Sequence, residues 1–349
     1  MVTEVVQFQN QLEIAALEKT SQKKMSIINP VKSKALVQAI KEEPWKFSLF
    51  ALSVIACFFP IITPPIALAI GIILAALKSI PKAVNTGAIA SFLLKVSIVL
   101  MGFGINLNQA ISTSKSGFVL SAVFILTTLV LGIAVTKIFK VERITGILIS
   151  IGTAICGGSA IAAVSPVVGA DKQQLSLSLG VVFLLNAIAL LIFPLIGSWI
   201  GLGQTQFGYW AAIAIHDTSS VVGAGAAYGE EALRIATTVK LTRALWIIPV
   251  SLVFAFVFSK KSAGKVKIPW FIFLFLLAMI IRYYLPSGAE VYNILDVIGK
   301  KGMVITLLLV GAGLSIAEIK VIGPRPLFLG VLLWIIISML SLFAVLHYF

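Results

Sequence analysis

Long apolar runs dominate this chain from about residue 47 to its C-terminal end. Most of them have a length near 20 residues, which is what a helix needs to cross the hydrocarbon core of a bilayer. Short polar or charged stretches separate them, so the pattern predicts an all-α polytopic membrane protein with about eleven transmembrane helices. The predicted spans are about 47–62, 64–78, 87–107, 117–136, 144–168, 175–199, 207–228, 232–258, 268–285, 301–316 and 326–348.

Composition excludes an ordinary soluble domain. The 349 residues are 59% hydrophobic and 11% charged, whereas soluble domains have about 25% charged residues. The net charge of +14 is spread among the loops between spans, so we expect the lipid bilayer and no nucleic acid as a partner. The two cysteines fall in predicted spans, and neither a disulfide framework nor a metal-ligand spacing is present.

The distribution of Lys and Arg predicts the orientation. Basic residues recur in every second connection, and such segments stay in the cytoplasm. We therefore expect the N-terminus in the cytoplasm and the C-terminus outside. Residues 1–44 lack a long apolar run and predict a cytoplasmic N-terminal arm, which is an amphipathic helix at the membrane surface, a packing arm for a second subunit of a homodimer, or a tail. Residues 45–349 predict the transmembrane transport domain.

Two spans contain residues that disfavour an unbroken helix. Gly157, Gly158 and Pro166 interrupt the first, and His216–Ser220 is a polar run inside the second. A broken helix frees backbone N–H and C=O groups that lipid cannot satisfy, so the break must be buried in protein or line a cavity. Secondary transporters build substrate sites from two such discontinuous helices meeting at mid-membrane.

Buried polar side chains indicate the chemistry of this site. Three cations, Lys95, Lys240 and Arg243, accompany one carboxylate, Asp217, and Asn186 lies in the sixth span. A surplus of positive charge beside helix N-termini suits an anion, although Asp217 could instead neutralise one cation in a structural ion pair. The candidate substrate-binding residues are Cys156, Gly157, Gly158, Ser159, Thr218, Ser219, Ser220, Lys240, Arg243 and Lys95.

His216 and Asp217 are the candidate coupling pair, because they are neighbouring titratable groups at bilayer depth. A packing histidine, with sodium coupling or simple anion exchange, is the alternative. Adjacent residues on one helix point to different faces, so a Ser/His/Asp hydrolase is not expected. We expect neither enzymatic activity nor a cofactor nor a metal. An anion channel or passive pore is the alternative to a transporter, but no repeated ring of like residues is legible.

Several segments together resemble the YeiH family (UPF0324 type) of bacterial inner-membrane proteins, often labelled sulfate exporters. They are GTAICGGSAIAAVSPVV at 152–168, AIHDTSSVVGAGAAYG at 214–229, ATTVKLTRALWIIPV at 236–250 and GAGLSIAEIKVIGPRPLFLGVLLW at 311–334. The resemblance covers about residues 45–349. It implies a fold like that of antiporters and bile-acid-type transporters, whose paired discontinuous helices move as a unit. It also implies a small anionic substrate such as sulfate, sulfite or an organosulfonate.

Overall fold

The structure is a computed structural model that describes residues 43–81, 83–258, 270–313 and 323–348. Residues 1–42 of the predicted N-terminal arm lie outside the described residues. Helix is the regular secondary structure throughout the described part of the chain, as the sequence predicts.

Fourteen α-helices are named here in chain order, counted within the described residues. They are α1 (Pro44–Ala56), α2 (Pro64–Ala76), α3 (Thr86–Gly102), α4 (Leu107–Ile138), α5 (Arg143–Ala154), α6 (Gly158–Val164), α7 (Lys172–Trp199), α8 (Gln204–Ala214), α9 (Thr218–Tyr228), α10 (Glu230–Ala244), α11 (Ile247–Val257), α12 (Phe271–Tyr284), α13 (Ala289–Gly313) and α14 (Pro324–Tyr348).

The chain divides into two compact units. The first comprises residues 1–51 and 79–85, and the second comprises residues 52–78 and 86–349. In the first unit, Lys46 and Glu43 form an ion pair of 2.7 Å at the start of α1. The second unit contains all of the candidate site residues.

Two groups of helices make up most of the second unit. Helix α13 packs along α2 and α3, and α12 packs against α3; we call α2, α3, α12 and α13 the side bundle. Helix α10 packs against α4, α8 and α9. Helix α5 packs against α4 and α7, and α14 lies across α4, α5, α7 and α8. We call α4–α11 and α14 the crossing bundle. Helix α9 contacts both α2 and α13, so the bundles meet beside the second predicted break.

Local sequence signals explain where several helices begin. The Asn106 side chain accepts hydrogen bonds from the first turn of α4, and Asp171 with Gln174 forms a capping box at the start of α7. Glu142 caps α5. Burial alone would raise the pKa of this carboxyl, but hydrogen bonds from the Thr145 side chain and backbone, and from the Ile144 backbone, lower the pKa below its usual value.

The described helices agree with a polytopic membrane protein. Four helical segments, counted among the described residues, are long and apolar enough to cross a membrane, or five if the bent α12–α13 pair is one span. They are α4, α7, α10 together with α11, and α14. Four shorter apolar helices, α1, α2, α3 and α5, accompany them. Large apolar side chains such as Phe118, Leu126, Met339 and Phe343 are exposed on α4 and α14, as a lipid-facing surface requires.

Some features of the helices were not predicted. The α12–α13 pair bends by 103° at a short 3-10 turn, Pro286–Gly288, where proline cannot continue a helix. Helices α2 and α13 touch at Gly71 and Gly311, where an added Cβ on either glycine would collide with the other helix's backbone. The side bundle is therefore packed more closely than large side chains would allow.

Candidate functional site

Both predicted helix breaks are present, and they touch each other. Helix α5 ends at Ala154 and α6 starts at Gly158, whereas α8 ends at Ala214 and α9 starts at Thr218. Gly157 has a φ of +62°, a region that a residue with a side chain rarely adopts. A Cβ added to Gly157 would lie 3.3 Å from the Asp217 Cα. The predicted pair of discontinuous helices is thus confirmed, and glycine at position 157 lets the two segments of the chain approach each other.

The carbonyl ends of α5 and α8 are neutralised by the two deeply buried cations. Arg243 donates from Nε to the Ala154 carbonyl at 2.8 Å, and from its terminal nitrogens to the carbonyls of Ala154 and Ile213, the latter at 2.7 Å. Lys240 Nζ donates to the Ile215 carbonyl at 2.7 Å. Helix C-termini carry partial negative charge, so these bonds combine a dipole interaction with charge-assisted hydrogen bonding.

Lys240 and Arg243 therefore face the protein interior, as predicted, but they do not reach a carboxylate. Both side chains are fully buried, and neither lines the central cavity described below. The hydrogen-bond partners that the structure gives them among the described residues are backbone carbonyls. The alternative interpretation, an ion pair with Asp217, is not what the structure gives these cations: their hydrogen-bond partners are helix ends, which a count of charged residues does not include.

The N-terminal ends of α6 and α9 lie on a cavity of about 780 Å³, which we call the central cavity. It lies between the two bundles and combines polar groups from the breaks with apolar and aromatic walls. Its lining includes Ser91, Lys95, Gly158, Ser159, Phe183, Asn186, Asp217, Ser219, Ser220, Trp270, Phe271 and Thr306. Among the predicted site residues, Lys95, Gly158, Ser159, Asp217, Ser219 and Ser220 line it together.

Asn186 on α7 holds the second break and was not among the predicted site residues. Its Oδ1 accepts from the backbone N–H groups of His216 at 3.0 Å and Asp217 at 3.1 Å. Its Nδ2 is buried and has no partner among the described residues, while the residue lines the central cavity. A lone amide in an apolar span was the sequence signal for it, since such a group is costly unless paired.

Asp217 is the N-cap of α9 and the carboxylate of the cavity lining. Its side chain accepts from the Ser219 backbone N–H at 2.9 Å and from the Ser219 hydroxyl. The carboxylate thus offsets part of the positive end of α9. Lys95 on α3, in the opposite bundle, supplies positive charge to the same lining.

The other predicted site residues lie behind the cavity wall. His216 is fully buried, and both ring nitrogens lack a hydrogen-bond partner among the described residues. It does not line the central cavity, and neither do Cys156, Gly157 and Thr218. The structure therefore separates the expected coupling pair, with the Asp217 side chain on the cavity and the His216 side chain behind it. In the described part of the chain, no group of three or more His, Cys, Asp and Glu side chains is placed to hold a metal ion.

Comparison with known proteins places this arrangement in a family. The family model described as "Conserved hypothetical protein 698" matches residues 48–330. A UPF0324 membrane protein of Vibrio parahaemolyticus is 48% identical over 301 residues, which cover 85% of this chain and 97% of that protein. One of Bacteroides thetaiotaomicron is 49% identical over 283 residues, covering 80% of this chain and 86% of that protein. No solved structure matches the chain.

Proposed function

The chain belongs to the UPF0324 family of membrane proteins, and from this premise we propose that it is a secondary transporter of a small anion, bound in the central cavity. The observation that carries the proposal is the Asn186 amide. Its oxygen holds the second helix break, its nitrogen is buried without a partner among the described residues, and the residue lies in the cavity wall. A buried donor without a partner costs free energy that a ligand acceptor recovers.

The surroundings of Asn186 favour an anion. Lys95 contributes a positive charge, and the first turn of α9 directs its positive end and the Ser220 side chain towards the same space. Because Asp217 offsets part of this charge, the site suits an anion of low charge more than a polyanion. Sulfate, sulfite and an organosulfonate are the probes to compare.

A tightly closed contact between the two bundles favours a carrier over a channel. Near the ends of α3 and α10, Met101, Ile105, Glu230 and Lys300 leave a space of about 10 Å³, which is about the volume of a single water probe. Helices α3 and α13 line the central cavity with other parts of their length. A closed contact between the bundles beside the cavity-lining helices fits alternating access, in which the two helix groups move relative to each other.

Flux into proteoliposomes containing the full chain tests the proposal. Vesicles preloaded with unlabelled sulfate, sulfite or an organosulfonate should take up the labelled anion faster than empty vesicles, and uptake should saturate. A current that follows voltage and does not saturate would instead establish the anion channel. Empty liposomes provide the baseline for both measurements.

Coupling is assigned within this proposal to Asp217, because its carboxylate is the acidic group on the cavity lining. Protonation would remove a negative charge from the cavity and strengthen anion binding, so uptake should rise as pH falls. Replacing sodium with potassium in the same assay tests the sodium alternative. Sodium-dependent uptake without pH dependence would transfer coupling from the proton to sodium.

A further inference from the structure

A cluster of charged residues connects the two bundles away from the central cavity. Lys300 of α13 contacts Glu230 of α10 at 3.1 Å and Asp296, one turn earlier on its own helix, at 2.9 Å. Helix α13 belongs to the side bundle and α10 to the crossing bundle. The contact with Glu230 is therefore an ion pair between the two bundles.

The cluster and the cavity lie on different stretches of the same two helices. Ser91 and Lys95 of α3 line the central cavity, whereas Met101 lies beside the cluster. On α13 the order is reversed, with Lys300 at the cluster and Val310 at the cavity. The ion pair therefore bridges the bundles beside the C-terminal end of α3 and near the middle of α13, outside the cavity lining.

Close packing surrounds the acidic partner on the side bundle. The Asp296 carboxylate lies against Gly104, so that an added Cβ on Gly104 would collide with it. The remaining space in the cluster is about 10 Å³, which has room for at most a water molecule. A small anion therefore does not fit in this space while Lys300 and Glu230 remain paired.

Each helix also provides an alternative partner for its own charge. Lys300 already bonds Asp296 at i−4 on α13. Arg234 lies at i+4 from Glu230 on α10, and its Nε is buried without a partner among the described residues. Charges four residues apart on a helix can pair. Separation of the bundles would leave Lys300 with Asp296 and let Glu230 turn to Arg234, so neither charge is stranded.

We propose that Lys300, Glu230 and Asp296 form a gate that closes this end of the pathway and opens when the bundles separate, an inference that rests on the proposed carrier function. Both partners of the bridging pair are partly exposed. Exposed ion pairs are weak because water competes for the ions. A weak bridge with a second partner for each charge suits a contact that must break in every transport cycle.

Sided labelling of one cavity residue tests the gate without measuring transport. Ser91 is exposed and lines the cavity, so Ser91→Cys reports which membrane face reaches it. A membrane-impermeant maleimide is added to right-side-out or to inverted vesicles containing the full chain. Cys57 and Cys156 are buried, and the chain without the introduced cysteine measures their background.

Removing either charge of the bridge should open the closed end more often. The Ser91→Cys chain is the parent, and it should be labelled slowly from the membrane face at which the gate is closed. Adding Lys300→Gln or Glu230→Gln to the parent should raise labelling from that face roughly two- to fivefold, about the population change that a partly exposed ion pair controls. Lys300→Arg keeps the charge and should behave like the parent. Glu231→Gln is the matched control, because Glu231 neighbours Glu230 but bonds Thr205 within the crossing bundle.

Equal labelling of the parent, Lys300→Gln and Glu230→Gln, each with the parental melting temperature, would overturn the gate. If Lys300→Gln does not fold, the exposed Glu230 still allows the test to be made. If the protein exchanges anions saturably but neither variant changes the labelling, the gate is contradicted and the proposed carrier function stands. A change in labelling without saturable flux would support the gate as the closure of this end and contradict the carrier.

Discussion

The two helix breaks touch each other, and we call this contact the helix crossing. The helix ends on its two sides differ in what they contact. On one side, the carbonyl ends of α5 and α8 are saturated by Arg243 and Lys240, and both cations are fully buried. On the other side, the start of α9 lies on a cavity that Lys95 and Asn186 also line. A cation surrounded by carbonyls stabilises the crossing, whereas a cation facing open space remains available to a ligand.

Arg243→Gln tests the carbonyl side of this comparison and should have the largest effect on the free energy of unfolding. It removes charge-assisted bonds to Ala154 and Ile213, each worth about 1.5–3 kcal/mol. We expect the free energy of unfolding to fall by about 3 kcal/mol, measured by thermal or denaturant unfolding in detergent. Anion affinity in the surviving folded fraction should be unchanged. A stable Arg243→Gln protein with weakened anion binding would place Arg243 at the substrate instead.

Gly157→Ala should weaken the contact between the two breaks. Alanine in the left-handed region costs about 1–2 kcal/mol, and the added Cβ would press on the Asp217 Cα at 3.3 Å. We expect a loss of about 2 kcal/mol in unfolding free energy together with slower anion exchange. Gly169→Ala is the matched control, because Gly169 has a φ of +69° but nothing within 4 Å of an added Cβ. Equal exchange rates in the two variants would show that the contact with Asp217 is unimportant.

Lys95→Gln tests the cavity side of the same comparison and should lower anion affinity rather than stability. Because Lys95 is partly exposed to the central cavity, its loss should leave the melting temperature nearly unchanged. Affinity for the transported anion should fall about tenfold, equivalent to about 1.4 kcal/mol, in an equilibrium binding assay. Lys301→Gln is the control, since Lys301 bonds the Phe58 carbonyl and does not line the cavity. Equal affinities in both variants would exclude Lys95 from the anion site.

Asp217→Asn and His216→Gln should differ in how anion uptake depends on pH, which distinguishes the roles of the two neighbouring residues. At neutral pH, these two variants should have the smallest effect on uptake of all the variants considered. Asparagine is a good N-cap, so Asp217→Asn should keep α9 in place while removing the carboxylate. Uptake should then lose its rise at acidic pH, whereas His216→Gln should keep that rise because His216 is buried behind the cavity wall. The opposite result, a flat profile in His216→Gln alone, would return the coupling role to the histidine.

The fold was predictable because its signals are local. Apolar runs mark the helices, and each of the eleven predicted segments overlaps at least one described helix. Glycine at 157 and the polar run from His216 identify both breaks, since each frees backbone groups within an otherwise apolar span. That the breaks touch was an expectation from other transporters, and the approach of Gly157 to Asp217 confirms it.

The site was less predictable because partners distant in sequence define it. Lys240 and Arg243 look like surplus charge when compared with carboxylates, but backbone carbonyls 25 to 89 residues away receive their hydrogen bonds. Asn186 has no motif, and its importance follows from contact with backbone groups 30 and 31 residues later. Sequence shows that such polar groups must be satisfied, while packing decides which group satisfies them.

The partial exposure of the Lys300–Glu230 pair has a consequence for the response to salinity. Mobile ions screen charges that contact water over a Debye length of about 8 Å at physiological ionic strength, but they act much less on buried groups. Rising salt on that face would therefore weaken this bridge and leave the buried Arg243 bonds nearly intact. Ionic strength would change how often the closed end opens without melting the helix crossing.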